Sequence, residues 1–107
     1  MNGNDLIVEY LYFNNFYGAN LENANFKNAS IWTVMFDTAN LSNANFSGAD
    51  LRSSSLQNTD LTNANLAGAN LDGVDLSGAN LSGADLSGVI YNQNTILKCI
   101  NHTICVG

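Results

Sequence analysis

Large apolar residues recur in this chain at every fifth position. The series runs Phe16, Leu21, Phe26, Ile31, Phe36, Leu41, Phe46, Leu51, Leu56, Leu61, Leu66, Leu71, Leu76, Leu81 and Leu86. Two residues before each of the last fourteen stands a small one, mostly alanine, with Val34, Ser54, Thr59 and Val74 as the variants. The position just before the bulky residue is mostly Asn or Asp, and the position two after it is Gly, Asn, Ser or Thr. A period of five suits no straight element. In an α-helix it advances about 500°, so the bulky residues would spiral around the axis and form no stripe. In a flat strand an odd period throws successive bulky residues onto opposite faces. A chain that corners once per quintet can bury all of them, because each corner re-aims the next one at a common axis. Four such corners close a square coil of twenty residues, and coils then stack at the strand spacing of about 4.8 Å. The residues after each bulky one tolerate tight turns, and the chain has no proline to interrupt bonding between coils.

The segments ANLENANFKNAS, ANLSNANFSGADL and TNANLAGANLDGVDLSGANLSGADLSG resemble the pentapeptide-repeat family, whose unit is A(D/N)LXX. The resemblance covers residues 14–91 and implies an all-β fold: a right-handed quadrilateral parallel β-helix of about four to five coils. It places the bulky and small residues inward. Members of the family are common in cyanobacteria, most have no known activity, and a few inhibit or shield type II topoisomerases by mimicking DNA.

With twenty residues per coil, inward columns read Phe16, Phe36, Leu56, Leu76 and Phe26, Phe46, Leu66, Leu86, so one end of the core is aromatic and the other aliphatic. Outward columns such as Asn20, Asn40, Asp60, Asn80 and Asn25, Asn45, Asn65, Asp85 are placed to form side-chain ladders. Length and pattern give a single domain: residues 1–13 a cap or irregular first coil, 14–91 repeats, 92–107 a second cap. Towards the N-terminus the pattern fails, with Asn4, Glu9 and Asn14 at the small inward position. Either Asp5 caps a short helix running through Phe13, or the first coil is irregular. After Val89, Ile90, Tyr91 and Ile96 the repeat decays, and ILKCINHTICVG is apolar enough to cover the last coil.

Composition narrows the function. Nine acidic residues against three basic ones give a net charge of −6 and disfavour a basic nucleic-acid binder or a polybasic membrane anchor. No apolar run reaches the roughly 18 residues of a membrane span, and the start lacks the basic region of a signal peptide. Catalytic machinery is not legible: one histidine, no base beside a nucleophile, no phosphate loop, and each Asp of the repeat exchanges with Asn. No cofactor is expected, and Cys99, His102 and Cys105 offer too few ligands for a structural zinc.

Two features depart from the repeat. Cys99 and Cys105 are either a disulfide stapling the C-terminal cap, as in some members of the family, or two buried thiols, since Cys99 continues the column of Ala19, Ala39, Thr59 and Ala79. A bridge would favour an oxidising compartment such as the periplasm or thylakoid lumen, and thiols the cytoplasm. The second feature is an outward column of Tyr12, Trp32, Arg52, Asp72 and Asn92, with Thr33 and Met35 alongside. Arg52 is expected over Trp32 and paired with Asp72. Tyr12, Trp32, Met35 and Arg52 are residue types that interfaces favour. The sequence therefore reads as a non-enzymatic structural or protein-interaction module, a monomer or weak end-to-end homodimer. The alternative is a DNA-mimicking inhibitor or protector of a type II topoisomerase. It is weakened because Asp50, Asp60, Asp75 and Asp85 fall in four different outward columns.

Overall fold

A computed structural model of the chain describes residues 10–106. It is a right-handed quadrilateral β-helix. Each rung bonds in parallel to the one twenty residues later: Asn20 to Asn40, Asn40 to Asp60, Asp60 to Asn80, and likewise on the other three faces. The residue before each bulky one makes these bridges. On one face, for example, Leu21 N–H donates to Asn40 O at 2.8 Å and Asn40 N–H donates to Ala19 O at 2.9 Å.

The corners follow from the turn-forming position. Every residue two after a bulky one, from Phe13 to Gly88, has a left-handed backbone with φ between 55° and 72°. That is the third-position requirement of a type II turn, which Gly and Asn meet with least strain. At each corner from Phe16 to Leu86 except that of Ile31, the bulky residue's carbonyl accepts a bond from the N–H three residues on. At Gly48 and Gly78 the absence of a side chain also makes room for the Asn28 or Asn58 side chain one coil below, which an added Cβ would push aside.

The repeating Asn/Asp has a local purpose. In twelve cases its Oδ1 accepts the backbone N–H two residues on, as when Asn45 receives Ser47 N–H at 2.9 Å and Asp85 receives Ser87 N–H at 3.0 Å. This holds the residue entering each corner. The inter-coil ladders expected of these columns are replaced by such local bonds, because the acceptor lies nearest its own corner. One cross-coil side-chain bond reaches the top of the Asn20 column from beside it, from Asn101 Nδ2 to Asn80 Oδ1. Since both Asn and Asp supply the acceptor, their interchange along the repeat has a physical basis.

The bulky residues from Leu21 to Leu81 are fully buried, Leu51 and Leu71 included. Phe16 stacks on Phe36 and Phe26 on Phe46, with ring centroids 5.6 and 4.9 Å apart, and edge-on contacts join the two columns.

The ends differ from expectation. Tyr10–Tyr12 is a strand paired in parallel with Ser30–Trp32, so no helix runs through Phe13. The chain is already in register there and takes the sheet bonds its neighbour offers. Asp5, Asn4 and Glu9 lie outside the described residues. Asn14 stands at the register of Val34 but is exposed, its Nδ2 bonding to Tyr12 O. At the other end, Ile96 pairs with Asp75 and Ile100 with Asn80. One extra residue is taken up between Ile90 and Ile96 and given back before Ile100. The chain then leaves the ladder at Asn101, itself left-handed, and folds back so that Val106 N–H bonds Leu97 O. The cap therefore covers only part of the last coil.

Candidate interaction surface

The corner after Ile31 is built differently from its neighbours, and that difference places the exposed aromatics. The usual turn bond is missing there. In its place Ser54 Oγ reaches in from the next coil, accepting Val34 N–H and donating to Ile31 O, both at 3.1 Å. Sheet geometry continues through Trp32, which pairs with Tyr12. Their rings consequently stand on the same side, centroids 5.1 Å apart and tilted by 40°.

Arg52 lies over the indole, its guanidinium carbon 4.8 Å from the ring centroid. The expected pairing with Asp72 is not made. Arg52 instead forks onto Asp50, with Nε 2.9 Å from Oδ1 and Nη2 2.7 Å from Oδ2. Asp50 is the nearer partner because its Oδ1 already accepts Arg52 N–H in the local corner bond. Its Oδ2 also accepts the Trp32 indole N–H at 2.7 Å. One carboxylate thus orients both the cation and the ring. Burial pushes the Asp50 carboxyl up, but hydrogen bonds from Arg52 and Trp32 and the Arg52 charge outweigh it and hold its pKa below 3.8. The same pairing raises Arg52. The ion pair is too exposed to add much stability, so its effect is positional.

Tyr12, Trp32 and Met35 are 40%, 41% and 44% exposed. A shallow cleft of about 230 Å³ opens between Trp32, Thr33, Arg52 and Ser53. Asp50 was not legible as the organiser, although its place two residues before Arg52 in the corner pattern was the available signal. Phe13 and Tyr17 are further exposed aromatics near this end. The other pair singled out, Cys99 and Cys105, is far along the coil. Their Sγ atoms stand 2.07 Å apart, a disulfide distance, and Cys99 is also buried at the end of the Ala79 column. His102 Nδ1 accepts Ile104 N–H, and no cluster of metal-ligating side chains occurs among the described residues.

A four-sided coil with one inward pair per quintet defines a β-solenoid built from pentapeptides. The family model described as pentapeptide repeats matches residues 15–52, 36–66 and 54–90 in eight copies. The chain belongs to the pentapeptide-repeat family. It is similar in structure to a pentapeptide repeat protein of the cyanobacterium Cyanothece 51142, at 34% identity and TM-score 0.82 over 84% of this chain. It is also similar to one from the Arabidopsis thaliana thylakoid lumen, at 30% identity and TM-score 0.78 over 82% of this chain. A third is HetL of Nostoc sp. PCC 7120, involved in heterocyst differentiation regulation, at 36% identity and TM-score 0.60 over 86% of this chain. The chain spans 61% of the first two proteins and 40% of HetL. No curated protein matches it.

Proposed function

We propose that this protein is a non-enzymatic interaction module whose contact surface is the Trp32 corner. The observation that carries this reading is the single Asp50 carboxylate that fixes Trp32 and Arg52 together beside Tyr12 and Met35. Pre-set aromatic and arginine side chains lose little freedom on binding, and these residue types dominate binding energy at interfaces. The Cys99–Cys105 geometry supports an oxidising compartment, such as the thylakoid lumen from which one similar protein comes.

Crosslinking in a native extract with the protein and with Trp32→Ala tests the reading. A partner joined through the corner is lost in the variant, while the far-UV circular dichroism of the variant is unchanged. Equal crosslinking by both proteins would remove this surface from the function. The topoisomerase reading is tested separately by DNA gyrase supercoiling. No inhibition is expected, because Asp50, Asp60 and Asp85 each have uncharged rungs directly above or below: Asn70, Asn80 and Asn65.

A further inference from the structure

The incomplete C-terminal cap leaves one sheet edge open. In the interior, each rung bonds the next in a fixed pattern: Leu66 N–H to Asp85 O at 2.7 Å, Gly68 N–H to Ser87 O at 2.8 Å, and Asp85 N–H to Ala64 O at 2.9 Å. One coil later, Leu86 N–H, Gly88 N–H and Ala84 O have no such partners, because the chain turns away at Asn101 instead of laying down a further rung. Above this edge is a cleft of about 580 Å³, walled by Tyr91 and by His102–Ile104. Its floor is the end of a core column, where Ala84 and Leu86 are each 8% exposed while the members below are sealed.

We propose that this edge binds one extended segment of a partner protein, added as a parallel rung with a bulky apolar side chain seated on Leu86. The rungs beneath specify the occupant. A segment in their register would donate one N–H to Ala84 O and accept from Leu86 and Gly88 N–H, the pattern by which peptides extend sheet edges. Its bulky residue would stand on Leu86 as Leu66 and Phe46 stand in the same column, with a small residue two positions earlier. The intervening residue would lie over Asp85. That exposed carboxylate favours a lysine or arginine there and disfavours an acid. The cap already occupies the adjoining faces through Ile96 and Ile100, so a single strand fits and a whole stacked coil does not. This surface stands apart from the Trp32 corner and does not depend on it.

The test is an amide NMR titration of the full chain with a blocked peptide, Ser-Asn-Ala-Lys-Phe-Ser-Gly-Ala, which copies residues 42–49 with lysine in place of asparagine. Leu86 and Gly88 amide protons are expected to move downfield, and to do so equally in the Trp32→Ala protein. N-methylation of the lysine amide, which removes only the donor to Ala84 O, is expected to weaken binding about tenfold. Glutamate at the lysine position is expected to weaken it as well. The proposal is overturned by the absence of shifts at millimolar peptide, by shifts confined to the Trp32 corner, or by equal binding of the N-methylated peptide. It is also overturned if Leu86 and Gly88 shift with protein concentration alone, which would assign the edge to a second copy of this chain.

Discussion

Ser54 illustrates how one side chain can be misread by its repeat. It stands where alanine usually does and is 2% exposed, yet its hydroxyl completes a corner belonging to another coil. Ser54→Ala restores the commonest residue at that position and should nonetheless destabilise the protein by roughly 1–3 kcal/mol. The substitution strands the buried Val34 N–H and Ile31 carbonyl without a partner. Urea denaturation measures this, and an unchanged midpoint would refute the bridging role. Asp50 makes the second prediction at this scale. Its folded pKa lies below its ordinary value of 3.8. Its contribution is therefore complete above that pH and is lost as pH falls through the folded value. Trp32 is the sole tryptophan, so its emission should stay constant at neutral pH and change only in the acid range below 3.8. Asp50→Asn keeps the corner acceptor and should abolish that change. Asp75 and Asp85 are also lowered, the first because bonds from Ser77 and Gln57 outweigh its burial and the second by the Ser87 hydroxyl. The acid fall in overall stability should thus persist in the variant.

At the level of the rung, the direction each recurring position faces was legible, whereas side-chain partners and features that occur once were not. The quintet pattern placed the bulky residues inward and the turn-formers at the corners, because each position is repeated enough to average out its exceptions. Leu61 is fully buried in the middle of its column. Leu61→Ala should cost roughly 2–5 kcal/mol in a denaturation experiment, the usual loss for a truncated core leucine. The Arg52 partner was misassigned because column registry considers only residues a coil apart, whereas the corner bond brings Asp50, two residues away, into reach. The Asn columns were misread for the same reason. The outward position of Trp32 was visible, but its stacking on Tyr12 depends on a corner that Ser54 holds open, and no repetition announces that.

For the whole molecule, the caps were the least legible parts, since they abandon the pattern that made the rest readable. Residues 92–107 were expected to cover the last coil and cover only part of it, because the chain leaves the ladder after Ile100. The Cys99–Cys105 link closes the segment that folds back over Leu97. Reduction should lower stability by about 2 kcal/mol, the chain-entropy value for so short a loop, and should expose the Val106 amide to hydrogen exchange. A melt unaffected by reductant would count against the staple. Within the repeat, the offset of twenty residues between bonded rungs also sets how far the C-terminal cleft stands from the Trp32 corner. Duplicating residues 61–80 would carry the C-terminal cleft away from Trp32 by one strand spacing, about 4.8 Å, at an unchanged bearing. Adding a single quintet would instead swing it a quarter turn. The protein is in that sense a graduated spacer, on which the distance and the angle between two surfaces are both set by counting.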